Sequence, residues 1–522
     1  MMRPLVKSAA LVLFALIAGS RFVERDRLYV NGVQRILNDQ VGYISVGRNL
    51  AERGRMDSDV VYPSTLAQRF SRNSLYMPGH YWALAAVFKA AGYSVWNSFL
   101  PSLCGYAASA LLLFFIAGRA YGESAGYLAA SLFLFFPLNL TFAFTAMAEM
   151  DLMAAVLGAF ALFLALPARL RPWCGPLLLV PALLFRETSA ALAAPMAALV
   201  FFESKADRRK TAAFAVLSCA VVGLVMASPA AAGRPSLWAA NILFRGGQAE
   251  VYTDAFAVLN ARPAAVDWAA AIARNILANL RSLLSSPHFG VNKTHPAEYI
   301  QFLFILSGIP LGAFRWRRRQ DAFALGVGAM VLLLLVLDLA FYVVWSFRGV
   351  KSLLICQPFV AALWAASILS LPRLRRAPGW LPDLAVAAAA VVGGACFYAD
   401  FRVEKPINDA ADRDTAFVES IVAGDRGLLV SPWWLTLDYV NKHPGVPWSF
   451  VPENRETWDL LDRRYPIGTV ILPAGPPAVS FDGMAARLGL TPAGERTYRG
   501  VPFEVYRRPR ADAAARGRAG PE

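Results

Sequence analysis

Long uninterrupted apolar runs set the strongest limit on what this chain can become. "AASALLLFFIAG" (107–118), "LGVGAMVLLLLVLDLAFYVVW" (325–345) and "LLICQPFVAALWAASILSL" (353–371) are three of them. A bilayer core of about 30 Å takes about 20 apolar residues in a helix, and every backbone group inside it must be bonded within the protein. Chains built from such runs bury their backbone as a bundle of membrane-crossing helices. The 57% hydrophobic content, high for a soluble chain, follows from the same runs. The window argument gives about eleven spans. They lie near 5–19, 96–118, 124–145, 149–166, 174–186, 188–202, 211–229, 300–314, 322–345, 350–371 and 380–399. The pair 174–186 and 188–202 is short for two crossings and is expected to be tilted or broken.

The formal charge of +15 does not indicate nucleic acid, because the basic residues sit in short loops between apolar runs. They are Arg3 and Lys7, Arg119, Arg169 and Arg171, Lys205 with Arg208, Arg209 and Lys210, the run 315–319, and the run 373–376. With the spans above, all six groups fall on one face. The positive-inside rule then puts the N-terminus in the cytoplasm and the C-terminus outside, in a plasma or inner membrane. The basic start, apolar run and "AGS" of the first span also fit a signal peptide; we read the span as retained. The five cysteines lie in apolar stretches with no disulfide or metal spacing and are read as small core hydrophobes.

This topology leaves a first external loop at 20–95 and a second at 230–299. Within the second, Val266, Ile272, Ile276, Leu280 and Leu283 share a helical face, as in a helix lying in the headgroup plane or capping the bundle. The transmembrane domain is expected over 1–399. Beyond it, "GLLVSPWW", "GTVILP" and "VPFEVYRR" read as strands alternating with the helical "ENRETWDLLDRRY" and "FDGMAARLGL". A small extracytoplasmic α/β domain is expected over 400–510, with a disordered tail at 511–522. The fold class is therefore mainly α, a polytopic bundle with an appended α/β domain.

Ionisable groups beside spans are functional candidates. Four sets lie on the external face: Asp39; Glu149 and Asp151 in "AEMD"; Arg186 and Glu187 in "FRETS"; and Arg348 and Lys351 in "SFRGVK". Cations there suit a lipid-linked phosphate. A carboxylate can take a proton from an incoming hydroxyl, and a carboxylate pair can hold a divalent cation. Together they suit group transfer from a lipid phosphate carrier to an acceptor. His80 is read as a structural polar group, and Tyr43, Tyr81 and Trp82 as interfacial aromatics. His288 and His295 are too loosely spaced to indicate zinc.

Asp39 with Tyr43 and "GRNLAERG", then "YMPGHYWALAAVFKAAG", then the long segment from Leu100 through "AEMD" to Leu166, resembles the GT-C membrane glycosyltransferases. Within them it is most like the bacterial relatives of protein O-mannosyltransferases and of the lipid A aminoarabinose transferase. The resemblance spans about 30–205, is weaker at 345–371, and does not reach the C-terminal domain. Its strength is the order of the features rather than any one motif.

The resemblance implies an enzyme that moves a sugar, a hexose or pentose, from a polyprenyl-phosphate carrier to a glycan, lipid or protein on the external face. It implies Asp39 as the catalytic base and Glu149 and Asp151 as an acceptor- or cation-binding pair. Arg186, Arg348 and Lys351 become donor-phosphate contacts, with Glu187, Tyr43 and His80 in support. Gln40 stands where relatives carry a second acid, so a divalent cation is left open. Met77-Pro78-Gly79-His80 replaces the lysine-Pro-Pro of the aminoarabinose enzymes, which argues against that sugar. A transporter or flippase of lipid-linked sugars is the alternative. It would place charges near the midplane and show internal repeats; Asp338 is such a charge, but no repeat is visible.

Overall fold

The computed structural model describes residues 38–64, 69–73, 77–94, 97–203, 207–228, 296–341, 351–370, 416–422, 424–425, 427–432, 445–447, 455–474 and 481–509, with isolated positions between. Two compact units emerge. One comprises 1–26, 75–248 and 263–404; the other comprises 27–74, 249–262 and 405–522. The first external loop is thus divided between them.

The first unit is helical. Its described elements are α2 (Gly79–Ala91), α3 (Leu100–Tyr121), α4 (Glu123–Leu134), α5 (Pro137–Ala143), α6 (Glu149–Ala165), the short α7 (Arg171–Cys174) and α8 (Leu179–Leu183), α9 (Ala193–Glu203), α10 (Arg208–Ala227), α11 (Pro296–Leu306), α12 (Gly308–Arg319), α13 (Ala322–Phe341) and α14 (Gln357–Leu369). Among the described residues, five helical segments are long and apolar enough to cross a membrane: 97–121, 208–227, 299–319, 322–339 and 352–369. Their outward positions are apolar, as at Leu111, Val216, Leu224 and Leu303, all exposed. Such a surface matches acyl chains, not water.

The expected pair 174–186 and 188–202 is broken, as its length required. Its path runs through α7, a 3-10 turn at Gly175–Leu178, α8, an extended Arg186, a 3-10 turn at Glu187–Leu192, and α9. The expected span 124–145 is also split, at Phe135–Phe136 ahead of Pro137. Proline has no N–H to continue a helix and disfavours helical backbone before it. The expected spans 5–19 and 380–399 lie outside the described residues. So does most of the 230–299 loop, where the backbone is helical at 273, 276, 277 and 280.

Several helix ends gather at one end of this unit. Tyr121, closing α3, donates to Asp321 Oδ2 (2.9 Å) just before α13. Arg315 of α12 donates to the same oxygen (2.8 Å) and lies over the Tyr121 ring. Asp321 Oδ1 accepts from the Ala324 N–H (3.1 Å), capping the start of α13. Arg171 donates to the Leu164 and Leu166 carbonyls (2.8 and 3.1 Å) at the end of α6 and pairs with Glu203 at the end of α9. Phe202 packs on Trp316, ring centroids 4.4 Å apart. The basic groups at 169–171 and 315–319 therefore collect at a common end, the clustering expected from their loops.

The second unit holds a seven-stranded sheet ordered β2-β1-β4-β3-β5-β7-β6. Its strands are β1 (Asp57–Ser64), β2 (Arg69–Asn73), β3 (Leu428–Ser431), β4 (Gly445–Pro447), β5 (Ile467–Pro473), β6 (Thr491–Tyr498) and β7 (Val501–Arg507). β1, β4, β3 and β5 pair in parallel; β2, β7 and β6 pair antiparallel. Leu428, Val430, Val470 and Leu472 bury one face beneath Trp458 and Leu461 of α15 (Arg455–Arg464) and Ala485 of α16 (Asp482–Arg487). Leu429, Ile471, Phe503 and Val505 bury the other face with Val418, Ile421 and Val422. Strands buried on both faces require this alternation of side chains between two cores.

The expected strands at "GLLVSPWW", "GTVILP" and "VPFEVYRR" correspond to β3, β5 and β7, and the two expected helices to α15 and α16. β1, β2, β4 and β6 were not expected. α1 (Asn38–Arg53) lies on β1. Buried Arg48 pairs with buried Asp59, Asn49 donates to the Asp57 carbonyl (2.9 Å), and the Asp59 N–H donates to Ser45 Oγ (2.6 Å).

Candidate active site

The end of the helical unit opposite its basic groups is built from element beginnings. α6 opens with Glu149 and Asp151 in its first turn, where the helix dipole favours carboxylates. Both are buried. α2 opens at Gly79-His80, and His80 is fully buried. Its Nδ1 lies 2.6 Å from Asp151 Oδ2 and its Nε2 lies 3.0 Å from the Ala146 carbonyl. A carbonyl only accepts, so Nε2 carries a hydrogen. The other ring nitrogen faces the Asp151 carboxylate. His80 is therefore more than the lone interfacial group expected from sequence: it is the bonded partner of Asp151.

Arg186, extended between α8 and the 187–192 turn, donates from Nη2 to Glu149 Oε1 (3.1 Å). Its sequence neighbour Glu187 is not the carboxylate in this contact. The other Glu149 oxygen, Oε2, is buried and accepts no hydrogen bond from the described residues, which also leave the Thr188 hydroxyl unbonded. A buried carboxylate oxygen left without a donor costs free energy unless something arrives to fill it.

Two glycines permit this arrangement. The Gly79 N–H donates to the Leu184 carbonyl (2.8 Å), and a Cβ at 79 would sit 2.8 Å from the Phe185 ring. A Cβ at Gly105 of α3 would sit 2.7 Å from Asp151 Oδ1 and 2.8 Å from its backbone nitrogen. Any larger residue at 105 would push the start of α6 away. Ser102, one turn earlier, donates to the Met147 carbonyl (2.8 Å) and fixes the approach to that turn.

Asp338, near the end of α13, is also buried. It lies within electrostatic reach of the Arg186 guanidinium. The Ser352 hydroxyl, in the 3-10 turn Lys351–Cys356, donates to Asp338 Oδ2. Asp338 was visible in sequence only as an intramembrane charge, and Ser352 carried no signal. A hydrophobic span holding one acid was the available clue.

The other expected residues are distributed as follows. Asp39 lies in the first turn of α1, in the second unit, and its side chain is outside the described atoms. Tyr43 is buried in the same helix, and Tyr81 is buried in α2. Neither is an interfacial aromatic; of the three so expected, Trp82 alone is exposed. Arg348 lies outside the described residues, and Lys351 heads its 3-10 turn with its side chain undescribed. Of the cysteines, Cys356 is buried, Cys174 half-buried, and Cys104 and Cys219 exposed on helices, so the core reading fits Cys356 best. Cys396 is outside the described residues. Among the described residues, no three His, Cys, Asp or Glu side chains are arranged to hold a metal ion. Glu149 and Asp151 are directed instead to Arg186 and His80.

Comparison with known proteins completes the picture. Residues 77–232 match the family described as dolichyl-phosphate-mannose-protein mannosyltransferase. Among curated proteins, no sequence relative matches at a significant level. The ArnT of Cupriavidus metallidurans, crystallised bound to undecaprenyl phosphate, superposes with a TM-score of 0.53 at 13% identity, over 99% of this chain and 99% of that one. The apo oligosaccharyltransferase of Archaeoglobus fulgidus gives a TM-score of 0.50 at 14% identity, over 90% of this chain and 69% of that one. At such identities the likeness establishes the fold alone: this chain shares the fold of those two proteins.

Proposed function

We propose that this chain is an integral membrane glycosyltransferase that moves a sugar from a polyprenyl-phosphate carrier to a glycan, lipid or protein acceptor on the extracytoplasmic face. The observation that carries the proposal is the buried Glu149–Arg186 pair beside His80–Asp151, at the end of a GT-C bundle remote from its basic loops. The undecaprenyl phosphate in the ArnT crystal structure supports the carrier class. The family match over the segment that contains these residues supports the reaction.

The acceptor hydroxyl oxygen attacks the anomeric carbon, and the bond from that carbon to the phosphate oxygen breaks. The acceptor proton passes to the Asp39 carboxylate. Charge grows on the leaving phosphate, where Arg186, Arg348 and Lys351 neutralise it; donors aimed at developing charge lower the barrier most. Glu149 presents Oε2, unused by the described residues, to the acceptor. Asp151, held by His80, keeps the start of α6 in place. Tyr43 and Glu187 support these elements. The donor sugar, hexose or pentose, is set by pocket contacts that the test below samples. We place the N-terminus in the cytoplasm and the sheet of the second unit, with its first-loop strands β1 and β2, outside.

The test is transfer by membranes containing the chain from a panel of radiolabelled polyprenyl-phosphate hexoses and pentoses, compared with the Asp39→Asn variant. We expect the variant to lose activity by about 10²-fold or more. Undiminished turnover removes Asp39 from the reaction. Carrier translocation without cleavage of the sugar–phosphate bond overturns the whole reading.

A further inference from the structure

We propose that Asp338 is an anionic positioning residue of the phosphate subsite, one that limits how tightly a polyprenyl phosphate is held. The inference rests on the proposed function and deepens it. Asp338 is a buried carboxylate near the end of an otherwise apolar helix, a costly placement that calls for a partner. Three groups act on or around it from neighbouring elements: the Ser352 hydroxyl, which donates to Oδ2; the Arg186 guanidinium; and the Cys356 thiol, within electrostatic reach.

Two consequences follow from this placement. First, Ser352 adjoins Lys351, so the Asp338–Ser352 bond fastens the 351–356 turn to α13. Second, Arg186 donates to Glu149, and α13, which carries Asp338, packs against the 187–192 turn that follows Arg186, setting a second buried carboxylate within electrostatic reach of the guanidinium. An ionised Asp338 adds a second negative charge beside the guanidinium. An arriving phosphate meets Arg186 already attracted elsewhere. Binding is weakened equally for the donor and for the spent carrier, and a carrier held less tightly leaves sooner. Affinity that is the same in ground and transition states does not speed the chemical step, so weakening it favours turnover whenever release is slow.

Farnesyl phosphate and farnesol are suitable probes, titrated calorimetrically against the full chain in lipid nanodiscs. Asp338→Asn keeps the size and can still accept from Ser352 while removing the charge. We expect it to bind farnesyl phosphate more tightly, on the order of tenfold, with farnesol unchanged. In transfer assays its donor KM and its kcat should fall together. Asp338→Glu, which restores the charge, should return toward wild-type binding. A purely structural role would instead weaken binding in both variants. Unchanged or weaker binding of farnesyl phosphate by Asp338→Asn overturns the inference while leaving the proposed function standing. If Asp338→Asn does not fold, the neutral Asp338→Thr is held to the same criterion. Wild-type protein that binds farnesyl phosphate no better than farnesol refutes the phosphate-carrier reading, and the inference falls with it.

Discussion

The two ends of the helical unit use the same residue types for different ends. At the basic end, Arg171 and Arg315 face carboxylates, and their remaining donors and acceptors are spent on local structure. Arg171 caps carbonyls at the end of α6, and Asp321 caps α13. At the opposite end, Arg186 and His80 also face carboxylates, but at helix beginnings, and Glu149 keeps a buried oxygen without a donor among the described residues. A buried ion pair is weak evidence of function on its own, since desolvation roughly offsets attraction. What separates the two ends is whether the pair's leftover atoms are already used.

That contrast can be broken by substitution. The largest effect on transfer is expected from Glu149→Gln, which preserves shape and removes charge. Transfer should fall about 10²–10³-fold, the usual range for an electrostatic contact in the transition state, with the melting temperature little changed. A variant that melts early and transfers normally per folded molecule would erase the distinction. Asp151→Asn should follow, lowering transfer roughly 10–10²-fold because His80 loses its carboxylate partner. Chemical shifts of the imidazole, read by NMR on labelled protein, should move with it. Gly105→Ala is expected to cost about 1–3 kcal/mol in denaturation and to reduce transfer several-fold, since the new Cβ displaces Asp151. Arg171→Met should leave transfer per folded molecule unchanged and cost about 1–3 kcal/mol of stability through its lost carbonyl bonds. Lost turnover in fully folded Arg171→Met would place function at both ends.

The bundle was legible because a bilayer imposes length and hydropathy on each span separately. Glu149, Asp151 and Arg186 were legible as charges beside spans. Their pairing was not, because Arg186 bonds Glu149 across elements rather than its neighbour Glu187. Asp338 was legible as a charge, but its relation to Arg186 and Ser352 exists only once α13, the 187–192 turn and the 351–356 turn are packed. The strands β3, β5 and β7 carry β-branched and aromatic residues in short runs and announced themselves. β1 ("DSDVVYPS") and β6 ("TPAGERTY") contain proline and polar residues that disfavour strands in isolation. They form because neighbouring strands accept their backbone bonds.

β1 has a consequence for the order of assembly. Val60 pairs with Gly445 in β4, so an early segment of the chain finds its place only after one of the last segments exists. Contacts this distant in sequence are slow to form, and partly made sheets wait with open edges. α1, the helix containing Asp39, is clamped to β1 through Arg48 and Asp59. The proposed base therefore rides on a helix whose seat is completed late in synthesis. A chain interrupted before β4 would carry its spans in the bilayer and its basic loops intact. It would still lack the sheet partner that steadies α1, so nascent protein would stay silent until β4 had formed and paired with β1.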